Sequence, residues 1–207
     1  MVTKIFTASI LGLQVQKIEA EINIGGGLPS TTIVGLPDKA VQESKERIRA
    51  AISHSGSEYP MGKVVINLAP ADIIKSGSGF DLPIAIGILN LQGSILPKIP
   101  ENNLFIGELA LNGDLRAVTG ILSICIWAKQ NGFKDVFVPF GNLKEARLVS
   151  DLRIFAVENL RDLTSHLNGK VLLTPIVKLD YKSLILQEPQ TPQELKNIWI
   201  NQILAEK

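Results

Sequence analysis

Residues 75–85 read KSGSGFDLPIA, a lysine, two serines and two glycines set directly before an apolar run. Such a stretch suits a phosphate cradle, a turn presenting a nucleophilic serine, or a loop that opens a helix. A Walker-type phosphate loop ends in Gly-Lys-Ser/Thr, because its backbone N–H groups hold the phosphates while lysine and hydroxyl serve phosphate and metal. Lys75 precedes its glycines, and the other glycine-rich stretch, GGGLPST, has no lysine, so neither is a phosphate loop. A nucleophilic serine needs a base in hydrogen-bond reach. The two histidines, His54 and His166, are not placed beside carboxylates in a pattern that suggests a triad or a metal site. The one cysteine, Cys125, falls in an apolar segment where a buried inert thiol is expected, and it allows neither a disulfide nor a cysteine metal cluster. No metal and no cofactor are expected.

The elements that must position this loop follow an ordered α and β pattern. TKIFTASI and VQKIEAEINI alternate apolar and polar residues and read as strands joined at Gly12, with Val15, Ile18, Ala20, Ile22 and Ile24 on one buried face. After the glycines 25–27, STTIVG is a strand, and Pro37 with Asp38 starts a helix through DKAVQESKERIRAAISHSG that stops at Gly56. Val41, Ile48 and Ile52 share one face of it; Lys45 and Arg49 lie together elsewhere. KVVINL is a short strand ended by Pro70. A helix over 81–90 follows the opening loop, with Asp81 as its expected N-cap and Pro83 in its first turn. NNLFIGELALNGDLRAV reads as two strands around Asn112-Gly113 in a type I′ hairpin. Residues 120–131 read as a nearly all-apolar buried helix, and VFVP, NLKEARLV, RIFAV and NLRDLTSHLNG complete a domain over 1–169. Residues 170–207 carry three prolines and read as a linker with a short terminal helix over 192–204, whose Leu195, Ile198, Trp199 and Ile203 fall near one face.

Composition excludes several functions. Twenty-one Lys and Arg against 20 Asp and Glu leave a net charge of +1, so no global field favours nucleic acid or anionic lipid. The longest apolar run, residues 82–89, is far short of the ~20 a membrane span needs. The amino terminus lacks a small-residue cleavage site, and a cytoplasmic chain without membrane contact is expected.

Several stretches taken together resemble a known family. GLPSTTIVGLPDKAVQESKERIRAAI, INLAPADIIKSGSGFDLPIAIGIL, FIGELALNGDLRAVTGIL and GFKDVFVP are similar to the amino-terminal domain of the Mg-chelatase-like (YifB/ComM) family, in the expected order and from residue 4 to about 169. The resemblance implies an α+β fold with a mixed sheet and packed helices, like the Lon proteolytic domain and the RadA carboxy-terminal domain (ribosomal-protein-S-five-domain-2-like). It also implies DNA processing during natural transformation, since family members continue into an AAA+ ATPase and the ComM branch is associated with hexameric DNA branch migration.

The same resemblance tests the opening loop. Lon proteases carry their serine in a Lys-Asp-Gly-Pro-Ser-Ala-Gly turn and its lysine base on the helix after a Gly-Glu hairpin. Laid on this chain, the serine position is Gly79 and the lysine position is Leu122, so both members of the dyad are absent. A one-residue slip would promote Ser78, yet Lys129 stands seven residues beyond Leu122, ~10 Å along a helix and out of reach. No Gly-x-x-x-x-Gly-Lys-Ser/Thr occurs in the chain, and DYKSLILQEPQTPQELKN matches the usual lead-in to the ATPase poorly. The expectation is a non-catalytic domain that contacts DNA, joins a separately encoded AAA+ ATPase or self-associates into a ring. Lys45, Arg47, Arg49, Lys63 and Lys75 are its candidate DNA or partner contacts, against the simpler reading that Glu43, Arg47 and their neighbours solvate a helix face. The competing readings are a Ser-Lys protease using Ser78 and a pure protein-interaction scaffold.

Overall fold

Strands buried on alternate residues, as over 63–69, or without a break, as over 5–9, pack against helices in a layered α and β architecture. The computed structural model describes residues 2–12 and 14–177. β1 (Val2–Leu11) and β2 (Gln14–Gly25) form a long antiparallel hairpin. β3 (Ser30–Val34) leads into α1 (Lys39–His54), whose Asp38 N-cap accepts the Val41 N–H at 2.8 Å. β4 (Lys63–Ala69) and the opening loop precede α2 (Asp81–Leu91). β5 (Asn103–Phe105), the two-residue strands β6 (Glu108–Leu109) and β7 (Leu115–Arg116), and α3 (Ile121–Gln130) come next. β8 (Asp135–Pro139), α4 (Leu143–Ala146), β9 (Arg153–Val157) and α5 (Leu160–Leu167) close the order.

Seven strands form one mixed sheet in the order β3-β4-β2-β1-β5-β8-β9, and β6 with β7 make a separate ribbon. Two cores lie on its faces. Ile5, Ile22, Ile66, Phe105, Phe137 and Phe155 point to the side covered by α1, α2 and α5. Phe6, Leu104, Val136, Val138 and Ile154, their neighbours along the same strands, meet α3 and α4 on the other side. The second core reaches β2 only at Val15, which lies on the face opposite Ile18, Ala20 and Ile22 rather than with them, and beyond it the outer face of β2 and β4 carries Glu19, Glu21 and Asn67. α2 is buried on all sides from Asp81 to Leu89. At Gly87 it lies so close to Ile22 and Ile5 that a Cβ would collide with them.

Three local readings are corrected. Asp81 does not cap α2: Phe80 occupies the N-cap position without a side-chain bond, and Asp81 turns inward. The Asn112-Gly113 turn is not type I′, because only Gly113 has positive φ (+89°); the Gly113 N–H reaches the Ala110 carbonyl and Ala110 bonds Asp114, the pattern of a type I turn followed by a glycine bulge. α3 is amphipathic rather than buried throughout, with Ile126 exposed and Leu122 and Trp127 half-buried. Beyond Gly169 the chain stays on the domain, where Ile176 donates to the Ile154 carbonyl at 2.7 Å and Leu173 packs against the first core. The reading of a terminal helix over 192–204 lies outside the described residues. Among the described residues, no helix is long and apolar enough to cross a membrane, and no group of three or more His, Cys, Asp or Glu is placed to hold a metal ion.

Candidate functional site

The opening loop is built from both of its ends. Its start is tied to the entry of α1 by backbone bonds from Lys75 N–H to Leu36 O (3.0 Å) and from Asp38 N–H to Lys75 O (2.9 Å). The free oxygen of the Asp38 cap accepts the Gly77 N–H at 3.2 Å. Its far end is fastened to the segment before β6, with Gly107 N–H bonding Gly79 O and Leu82 N–H bonding Gly107 O. This clamp sets Ser78 beside Glu108, and the Ser78 hydroxyl donates to the Glu108 carboxylate. Glu108 also accepts from Arg116 at 3.3 Å.

Ser78 therefore has a carboxylate partner that the sequence reading missed, and the Gly-Glu at 107–108 was the available signal. The loop forms one wall of a cleft of about 440 Å³, with Ser76, Ser78 and Phe80 on one side and Ser9, Glu108 and Thr119 among the other lining residues. Among the described residues, Glu108 is the sole ionisable side chain in that lining, and none of them brings an amine or imidazole to Ser78 there. Gly79 lines the cleft with room to spare: a Cβ on it would meet only Ile106 Cγ2, at an ordinary 3.5 Å. Leu122 is half-buried against the second core, and its N–H bonds Glu145 at 3.2 Å. Lys129 is exposed and paired with Asp151 at 3.1 Å.

The candidate phosphate contacts part company. Arg47 grips Asp81 with two bonds, Nε to Oδ2 at 2.7 Å and Nη2 to Oδ1 at 3.0 Å, and Asp81 also accepts the Leu109 N–H at 3.1 Å. Burial pushes the Asp81 carboxyl up from 3.8 to about 6, opposed by Arg47 and the Leu109 N–H. The Asp81 carboxylate in turn holds Arg47 more firmly protonated. Arg47 is thus a structural tie from α1 to α2 rather than a free phosphate contact. Lys75 is fully buried and donates to the Pro70 carbonyl; burial lowers its pKa, and its amine has no surface to offer a phosphate. Lys45 and Arg49 lie one turn apart on α1, half-buried and exposed respectively, with the Arg49 guanidinium 5.8 Å from the Tyr59 ring centre. Lys63 is exposed at the start of β4.

A sheet of this order with α2 sunk into one face, and a serine–glycine loop laid against a Gly-Glu segment, defines a Lon-like α+β domain. The family described as subunit ChlI of Mg-chelatase matches residues 20–142, more than half of the chain, and the chain belongs to this Mg-chelatase-like family. It is 37% identical to the competence protein ComM of Haemophilus influenzae over 84% of its own length and 35% of the relative's. Over 88% of the chain it is 38% identical to the uncharacterized protein YifB of Escherichia coli, covering 36% of that protein. Lon protease 2 of Bacillus subtilis is 25% identical over 76% of the chain and 30% of the protease. The chain spans about a third of the length of these ComM and YifB relatives.

Proposed function

We propose that this chain is a non-catalytic Lon-like domain that serves DNA processing of the ComM type, and that it acts by assembling into a ring or onto an AAA+ ATPase. The observation carrying this reading is the lining of the cleft. Gly79 and Leu122 stand where the resemblance puts a nucleophile and its base, and the hydroxyl that is present, Ser78, bonds a carboxylate already engaged by Arg116. An acceptor so engaged orients the hydroxyl but does not replace the amine of a Ser-Lys dyad. Assembly is favoured over direct DNA contact because two of the five candidate cations, Arg47 and Lys75, are committed inside the fold. DNA contact rests on Lys45 and Arg49, with Lys63 at a separate strand start.

Three measurements test the reading. Sedimentation of the full chain, alone and mixed with the ATPase portion of a ComM-type relative, is expected to give a discrete multimer or a shared complex; a monomer that ignores the ATPase overturns assembly. Labelling by a serine-reactive fluorophosphonate is expected to be absent. Labelling that disappears in Ser78→Ala would overturn the non-catalytic reading. DNA affinity that falls steeply with salt and collapses in Lys45→Glu/Arg49→Glu would restore the DNA reading.

A further inference from the structure

We infer that the exposed outer face of β3, β4 and β2 is an interface for a second copy of this chain, packed face to face about a two-fold axis through Thr32. The inference does not depend on what the cleft does, and a two-fold contact closes at two, so it adds to a ring rather than forming one. β3 exposes Ser30, Thr32 and Val34 on this side, while Ile33 is buried in the first core on the other. The register continues the face across the sheet: Thr32 lies beside Val65 of β4, and Val65 beside Asn23 of β2. Val65 is half-buried and Asn23 exposed. The edge of β3 is not the contact, because the Gln42 side chain already bonds the Ile33 carbonyl there at 3.3 Å.

A second copy fits because the sequence around β3 repeats about its centre. Gly27-Leu28-Pro29 precedes the strand and Gly35-Leu36-Pro37 follows it, which sets Leu28 and Leu36 equally far from Thr32. Both leucines are exposed, by 88% and 52%, and each follows a glycine of positive φ. Leu36 itself holds φ at +55°, a strained setting for a leucine, with its carbonyl bonded by the Lys75 N–H. A copy turned end for end about Thr32 brings Leu28 against Leu36, Ser30 against Val34 and Thr32 against itself. Residues 22–37 carry no charge, so no like charges meet along this strand. On β4 and β2 the charges complement each other. Lys63 lies beside Ser30, whereas Asn67 lies beside Val34 with Glu21 next to it, so the same turn carries Lys63 of one copy toward Glu21 of the other. A face three strands wide is at the small end of specific interfaces, which bury ~1,200–2,000 Å², and the pairing is expected to depend on concentration.

The test is sedimentation equilibrium of the full chain over a rising concentration series, in which the mass of the assembly is expected to double. Thr32→Asp and Thr32→Lys each set like charges against each other on the axis. Each is expected to show half the mass of the unaltered chain at a concentration where that chain is paired, while melting like it. Mixed in equal amounts, the two variants are expected to recover the doubled mass, since aspartate then meets lysine. Lys63→Glu is expected to weaken the pairing by about tenfold. The inference is overturned by equal masses for the unaltered and Thr32-substituted chains, by a mixture no heavier than its components, or by a gain in mass only when the ATPase portion of a ComM-type relative is added. A monomer left by Thr32→Asp sinks the ring reading while the pairing stands.

Discussion

Asp81 and Ser78 are three residues apart and belong to opposite kinds of site. On the α1 and α2 side of the loop Asp81 and Lys75 are closed into the fold: Asp81 takes two bonds from Arg47 and one from Leu109, and Lys75 is buried on the Pro70 carbonyl. On the cleft side the polar groups face an opening, and only Ser78 and Glu108 are tied to each other. The contrast shows that the charged residues of this loop build the domain, while its hydroxyls are what the domain presents. A candidate site read from charge alone therefore takes in Arg47 and Lys75, which the fold holds inside.

The sharpest way to break this comparison is to remove Arg47. Arg47→Met leaves the fully buried Asp81 without its cation and is expected to cost about 3 kcal/mol in urea unfolding at neutral pH. The sign with pH follows from burial. Because the folded carboxyl is raised from 3.8 to about 6, its contribution to stability is fully present below the ordinary value and is lost as pH rises through about 6. Without Arg47 that carboxyl rises further, so the variant's deficit is expected to shrink in acid. A deficit independent of pH would show that Arg47 acts through packing alone.

Next in size is charge reversal. Lys75→Glu is expected to lose about 2–3 kcal/mol, since it puts an unpaired acid where a buried amine meets a carbonyl. Lys45→Glu is expected to stay within about 0.5 kcal/mol. Thermal melts of the two variants check this directly. A small effect at Lys75 would mean the loop opens and its amine is available after all. The practical consequence is that DNA binding should be probed through Lys45 and Arg49, where loss of affinity is not confounded by loss of fold.

How far the sequence was legible depends on the range of the signal. Strand alternation in β2 and β4, the Asp38 cap and the burial of Val41, Ile48 and Ile52 were all readable, because each rests on residues a few positions apart, whereas β1 is buried on both faces from Ile5 to Ser9. The fate of Asp81 was not. A carboxylate before an apolar helix has the local look of a cap, and only α1, packing across from thirty-four residues earlier in the chain, turns it into an ion-pair partner. Lys75 was misread for the same reason: glycines and serines around it suggest a solvated loop, whereas its backbone is bridged to residues 36 and 38. Glu108 meets Ser78 across thirty positions, so its role needed the fold.

A smaller effect concerns the edge of the closed side. His166 leans on Phe155 and Phe137, with ring centres 5.0 and 5.7 Å away, and its Nδ1 accepts the Leu173 N–H at 3.0 Å. Burial lowers its pKa below the ordinary 6.5, with Asp135 pulling the other way. A depressed imidazole contributes stability that is full above the ordinary value and lost as pH falls below it. Protonation removes the acceptor, so the protection of the Leu173 amide, its exchange rate compared with the intrinsic rate at each pH, is expected to fall below 6.5 while that of the core amide of Ile66 holds. Unchanged relative protection would mean that the segment after α5 is held by Leu173 and Ile176 packing instead.

The smallest expected change in stability is at Gly79, and it sharpens the comparison from the cleft side. Its φ is not positive, and a Cβ there would touch only Ile106 at 3.5 Å, so Gly79→Ser is expected to shift the melt by no more than about 0.5 kcal/mol. The serine alone would lack a base and is expected to take no fluorophosphonate. Adding Leu122→Lys places an amine on α3 at the position the resemblance assigns to the base. Leu122 is half-buried at the second core, where a lysine stem can lie along apolar surface, and labelling requires its head to turn to the serine rather than stay in solvent. The double variant is expected to label slowly, and Ser78→Ala in that background to leave the labelling intact. A folded double variant that stays unlabelled would mean that the cleft does not bring positions 79 and 122 into the geometry of a Ser-Lys dyad.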